Sequence, residues 1–143
     1  MSNQSSSERT GRGSIRGDIM LAAILDLVLL TLFAIFGRAS HQLELNIMGV
    51  LETMWPFLIG LWVGWAPTWT RRSPTALWPT GVWVWAATVI VGLLFRWLSN
   101  GLSLAPAFAL VATGMLAAFL FGWRLIATII RIILNRRSTA TEE

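Results

Sequence analysis

Hydrophobic residues in this chain fall into four long runs separated by short polar breaks, and each run has the length of a membrane helix. The first, residues 19–36, is apolar apart from Asp26 and Thr31. At ~1.5 Å per residue it is long enough, with flanking help, to cross a hydrocarbon layer of ~30 Å. The second, 47–69, carries Glu52 and Pro56 near its start, where an early-turn proline removes an amide that has no helical partner anyway. A polar "TRRSPT" turn leads to the third, 77–97, with Pro79 in its opening turn. "LSNGLS" leads to the fourth, 104–123, for which Ser103 reads as the N-cap and Pro106 as an early-turn residue. The pattern predicts an all-α fold, an integral membrane four-helix bundle.

The flanks differ in kind. Residues 1–17 are rich in Ser, Gly and Arg and read as a disordered cytoplasmic tail. A signal peptide is the competing reading of the first run, but Asp26 inside it and three further runs favour a retained membrane helix. Past Trp123, residues Arg124, Thr128, Arg131 and Asn135 share one side while Ile126, Ile129, Ile130 and Ile133 occupy the rest. Residues 126–143 therefore form an amphipathic, basic tail, which either continues the fourth helix or lies on the membrane surface. Between the tails, 18–125 is the transmembrane domain.

Charge sets the expected orientation. Arg9, Arg12, Arg16, Arg71, Arg72, Arg124, Arg131, Arg136 and Arg137 fall on one side of the membrane, and Arg38 and Arg96 on the other. That bias predicts both termini in the cytoplasm and a multi-pass protein of the plasma membrane. Trp78 and Trp97 bracket the third run, and Trp55 and Trp69 the second, at interfacial spacing. Small residues predict the packing faces: Gly60 and Gly64 in the second run, Gly81, Thr88 and Gly92 in the third, and Gly114, Ala118 and Gly122 in the fourth.

Composition narrows the chemistry. With 55% hydrophobic and 13% charged residues, the chain lacks the polar material to cover a soluble domain. It has no cysteine, which excludes disulfides, thiol nucleophiles and cysteine metal sites. The net charge of +4 sits beside apolar runs, so anionic lipid headgroups at the cytoplasmic face, and not nucleic acid, are the expected partners. A homo-oligomer or an envelope-complex partner is a further expectation.

Two constellations carry candidate chemistry. Asp26 lies seven residues beyond Ile19, about 10 Å into the hydrocarbon, beyond easy reach of water. Its own helix supplies no cation, so the carboxyl is expected to be neutral. It would act either as a proton- or cation-coupling group or as a hydrogen bond between helices. The second constellation gathers at the opposite, outer mouth: Arg38, His41 and Glu44 leave the first run, Glu52 opens the second, and Arg96 closes the third. An Arg96–Glu52 pair is expected there, in a rim that either recognises a phosphate or carboxylate headgroup or only neutralises itself. One His with two Glu lacks any recognised metal spacing, so no metal or cofactor is assigned. No Ser/His/Asp grouping or phosphate loop suggests an enzyme.

A small four-span protein with one acid in its first span resembles the small multidrug resistance transporters, although those tend to have a weaker charge bias. More specifically, Asp26 together with "GRASH", "WPFLIGLWVGW", "LWPTGVWVW", "LLFRW" and a late "GWR" resembles a small integral-membrane family of high-GC bacteria known as domain of unknown function thirty fifty-four. The likeness covers about residues 18–125 and implies four helices and a plasma-membrane location, with no activity to carry over. Two functions follow as expectations. One is a small proton-coupled transporter or lipid-headgroup translocator, with Asp26 as coupling carboxylate, Trp62 and Trp85 lining an aromatic path, and Arg38 and Arg96 guarding the mouth. The other is a non-transporting structural or accessory subunit of a membrane or envelope complex.

Overall fold

The computed structural model describes the backbone of residues 4–139 and the side chains of residues 16–135. Its helices are α1 (Gln4–Ser40), α2 (Ile47–Trp65), the short α3 (Thr68–Arg72), α4 (Val82–Ser99) and α5 (Pro106–Thr139). A π-helical turn over Leu77–Gly81 leads into α4. No strand occurs among the described residues. Four stretches are long and apolar enough to cross a membrane: Arg16–Ser40, Ile47–Trp65, Leu77–Ser99 and Pro106–Asn135. They run up, down, up and down, so the N-terminal end of α1 and the C-terminal end of α5 lie at the same end of the bundle. Outward-facing Trp62, Ile90 and Leu110, each about two-thirds exposed or more, give the bundle an apolar exterior.

Local chemistry sets the helix ends. Asn46 has extended backbone and its Oδ1 accepts from Gly49 N at 2.7 Å, capping α2 at the residue before the expected start. The second helix stops at Trp65, short of Trp69, because Pro67 takes an extended conformation and begins the separate α3. Trp69 therefore packs against Trp83, with ring centroids 5.8 Å apart, and does not close the second span. Pro56 lies inside α2 and not in its first turn. At the other end α5 opens on Pro106, where the missing amide has no helical acceptor, so Ser103 is too far upstream to cap it. Gly101, with φ of +65°, turns the chain from α4 toward α5.

Helix α1 begins at Gln4, ahead of the apolar stretch Arg16–Ser40 that forms the first span. Residues 1–3 and 140–143, and the side chains of Arg9, Arg12, Arg136 and Arg137, lie outside the described residues. At the far end α5 continues unbroken past Trp123, which makes residues 124–135 part of the fourth helix and not a separate surface helix.

The closest backbone approach joins α2 to α4. A Cβ on Gly60 would come within 2.7 Å of the Thr88 carbonyl oxygen, and one on Gly64 within 3.0 Å of Val84 Cα. A side chain at Gly92 would strike the Phe57 ring, and Phe57 meets Phe33 edge-on with centroids 5.1 Å apart. Around that contact Leu30, Met54, Leu61, Val84, Val89 and Leu116 complete a core shared by all four long helices. The third small-residue face behaves otherwise. Gly114 and Ala118 are exposed, and nothing lies within 4 Å of a Cβ on Gly114 or Gly122. They face outward because α5 packs inward through Ala112, Leu116 and Leu120, half a turn away.

Candidate functional site: a buried ion pair and a cationic mouth

Asp26 is fully buried on α1, and its carboxylate meets four N–H donors contributed by two other helices. Arg124 Nη1 donates to Oδ1 and Nη2 to Oδ2, both at 2.8 Å. Trp123 Nε1 donates to Oδ1 at 2.8 Å and Trp65 Nε1 to Oδ2 at 3.1 Å. Arg124 is itself fully buried; its Nη1 also donates to Leu120 O at 3.0 Å, and its guanidinium carbon lies 4.5 Å from the Trp123 ring centroid. Gly81 makes room for it, since a Cβ there would come within 2.9 Å of Arg124 Cδ. Among the described residues this is the one ion pair.

This geometry corrects the expectation of a neutral Asp26. The missing cation comes from α5, which stays helical far enough to hold Arg124 at the depth of Asp26. Both carboxylate oxygens accept from N–H groups, and the bidentate fork suits an ionised carboxylate. A protonated Asp26 would have to point its O–H at donors. Arg124 therefore belongs to the core and not to the basic interface, and it does not count toward the charge on that side. Trp65 and Trp123 were likewise missed as partners. The signal lay in the run after Trp123: if it continues as helix, Arg124 is below the surface and needs an acid.

At the opposite end, a cavity of about 490 Å³ opens between α1, α2, α4 and the start of α5. Arg38, His41, Arg96 and Asn100 line its polar part, and Phe33, Leu43, Leu104 and Phe108 its apolar part. Arg38 is positioned by the connection that follows it: Nε and Nη2 donate to Glu44 O at 3.0 and 2.8 Å, and Nη1 to Thr53 Oγ1 at 3.4 Å. These bonds leave a donor on each Nη. The guanidinium lies over Gly49, where any side chain would collide with it. Arg96 sits with its guanidinium carbon 5.1 Å from the Phe108 ring centroid.

Of the five expected mouth residues, Arg38, His41 and Arg96 share this cavity. Glu44 contributes its backbone carbonyl, while its carboxylate accepts from Asn46 Nδ2 at 3.3 Å. Glu52 is exposed and forms no ion pair with Arg96. The turn of α2 that sends Thr53 inward carries Glu52 about 100° away, and Arg96 rests on an aromatic face instead. The expected aromatic path is corrected too. Trp62 is 79% exposed on the outer surface, whereas Trp85 packs against Phe121 at 5.4 Å and donates to Thr113 O at 3.2 Å. The two indoles serve different surfaces and line no common passage.

A family model described as "Protein of unknown function (DUF3054)" matches residues 23–127, a segment that contains the ion pair, both indole donors and the whole mouth. Neither a curated protein nor a solved structure matches the chain.

Proposed function

The chain belongs to the DUF3054 family of proteins of unknown function, so its own geometry has to supply the reading, and we propose that it binds an anionic amphiphile at the Arg38–Arg96 mouth as a lipid-headgroup translocator. One observation carries this: two guanidinium groups and an imidazole line a cavity with no carboxylate in its wall and an apolar floor. A phosphate or carboxylate would draw the Arg96 guanidinium and the free Nη donors of Arg38, while an acyl chain would lie along Phe33, Leu104 and Phe108. Arg38 is already oriented by Glu44 O and Thr53, so little ordering remains to be done on binding.

Asp26 takes a different part in this reading from the one its sequence suggests. Held by Arg124 and two indoles, it closes the bundle core and does not wait for a proton. We further place the end that carries the termini in the cytoplasm of a plasma-membrane protein. Without Arg124 the arginine bias on that side still stands at eight against two.

The test is binding of dodecyl phosphate to the purified protein, followed by titration calorimetry, against the zwitterionic dodecylphosphocholine as control. Dodecyl phosphate should bind more tightly, and Arg38→Gln with Arg96→Gln should abolish the difference. Equal binding of both amphiphiles to the parent protein would refute the assignment.

A second reading, an accessory subunit or self-associating protein, is favoured by the outward Gly114, Ala118 and Gly122 beside an apolar groove of about 450 Å³. With no native cysteine to interfere, an Ala118→Cys variant should form a disulfide-linked dimer in membranes if two copies meet on that face.

A further inference from the structure

A second polar cavity, of about 380 Å³, lies at the other end of the bundle. It is walled by the start of the first span, the connection between α3 and the π-helical turn, and the late part of α5. Its charged lining is Asp18, Arg72 and Arg131, with the hydroxyls of Ser73, Thr75 and Thr128 between them. Although the three charges share one space, no ion pair joins Asp18 to Arg72 or to Arg131. The acid and the two guanidiniums therefore stand apart across a volume within the ~300–1,000 Å³ range of small-molecule sites. Opposite charges set around a cavity and left unpaired offer complementary points to a ligand that carries both signs.

Depth points to the source of that ligand. Asp18 and Arg38 are twenty residues apart on α1, which at ~1.5 Å per residue separates the two cavities by roughly 30 Å, the thickness of the hydrocarbon layer. Both cavities thus lie at headgroup level, in opposite leaflets. The charged lining of the two differs in sign content: the mouth has no carboxylate in its wall, and this cavity has Asp18.

We propose that the Asp18–Arg72–Arg131 cavity is a binding site for a phosphoethanolamine group, its phosphate taken by the two arginines and its ammonium by Asp18. The site is distinct from the mouth and does not depend on it. The hydroxyls of Ser73 and Thr75 add donors for the phosphate oxygens. A choline headgroup has no N–H to give Asp18, and a glycerol headgroup has no cation, so the acid discriminates against both.

The full chain is reconstituted in nanodiscs containing equal amounts of phosphatidylethanolamine and phosphatidylglycerol, and the lipids it retains after gentle extraction are identified by native mass spectrometry. Phosphatidylethanolamine should be enriched roughly two- to fivefold, the effect of one partly exposed ion pair. Asp18→Asn should remove the enrichment while Asp18→Glu keeps it, and Arg72→Gln with Arg131→Gln should lower retention of both lipids. The mouth variant Arg38→Gln with Arg96→Gln should lower only the retained phosphatidylglycerol, leaving the retained phosphatidylethanolamine and its dependence on Asp18 unchanged, which separates failure here from failure of the mouth proposal. A competing arm adds water-soluble glycerophosphoethanolamine: displacement of the lipid assigns the site to the free headgroup as well, and persistence assigns it to the lipid, both with the same recognition chemistry. Lipid retained by the mouth variant that mirrors the bilayer, or an Asp18→Asn protein of unchanged elution and helicity that keeps the preference, would overturn the proposal.

Discussion

Removing either member of the Asp26–Arg124 pair should be among the most damaging single changes in the bundle, and removing both should hurt far less. In Asp26→Ala the Arg124 guanidinium keeps only the Leu120 carbonyl as acceptor and remains fully buried. In Arg124→Ala the carboxylate keeps two indole donors but no counter-charge. Breaking a buried pair from one side costs about 3–5 kcal/mol, because the orphaned charge stays desolvated. Asp26→Asn is nearly as severe despite its matched size. Whichever way the amide is turned, its NH2 faces one Arg124 donor and one indole donor at hydrogen-bond distance. The double variant Asp26→Leu with Arg124→Met replaces the pair by apolar groups of comparable bulk and should lie within about 2 kcal/mol of the parent. Unfolding in mixed micelles, followed as folded fraction against denaturing detergent, measures the parent, Asp26→Leu, Arg124→Met and the double variant as the four corners of the cycle, the single changes leaving the same orphaned charges as the alanine variants. Nitrogen-15 spectra of the indoles add an independent readout, since the Trp65 and Trp123 Nε1–H signals should both move in Asp26→Asn. Additive single effects, or single losses below about 1 kcal/mol, would refute the buried-pair argument.

Other expectations follow from contacts that are present or missing elsewhere. Gly60→Ala should destabilise the bundle by about 1–3 kcal/mol, since its methyl would press on the Thr88 backbone, while Gly114→Ala should stay within about 0.5 kcal/mol of the parent; the same unfolding assay compares them, and equal effects would refute the α2–α4 contact. Arg96→Ala and Glu52→Ala should add simply in a stability cycle, because no ion pair joins them. Reporter fusions at Gln42 and Asn100 should map to one side of the membrane and one at Ser73 to the other; Ser73 on the side of Gln42 would break the up-and-down order of the helices.

The features legible in the sequence were those that depend on one segment at a time. Four apolar runs gave four helices, and the starts at Ile47 and Leu77 follow from local polar breaks. Gly60, Gly64, Gly81 and Gly92 were legible as close-packing positions, each now opposite a named neighbour. What failed depended on rotation and on partners. Gly114 and Ala118 have the same spacing as the α2 glycines, but spacing does not state which face of a helix turns inward when Ala112, Leu116 and Leu120 offer an alternative. Glu52 looked like a partner for Arg96 because both lie at the same end; one residue of helix phase put Thr53 inside and Glu52 outside. Arg124 was hidden because its depth depends on where α5 ends, and a basic residue after a tryptophan reads as an interface anchor until the helix is known to continue.

That continuation also connects the ion pair to the two cavities. On α1, Asp26 lies eight residues from Asp18 and twelve from Arg38, so by helix rise it stands roughly 12 Å from the level of one cavity and 18 Å from the other. The pair ties α1 to α5, with Trp65 adding α2, at a level between the two headgroup-depth spaces. A polar group passing through the bundle from the mouth toward Arg131 would have to part α1 from α5 there. It would then expose a guanidinium in the apolar layer, and an anionic headgroup is the one class of cargo that could take the place of Asp26 on Arg124 as it passed. Translocation through the core therefore requires exchange of one carboxylate for one anion on Arg124, and it adds one negative charge to the site for as long as the displaced Asp26 and the cargo are both there. If headgroups instead move along the outer surface, the pair never opens. Replacing the pair by apolar groups in Asp26→Leu with Arg124→Met distinguishes the two routes. Without the Arg124 guanidinium, transbilayer movement of a fluorescent anionic lipid should stop if it takes the first route and keep running if it takes the second.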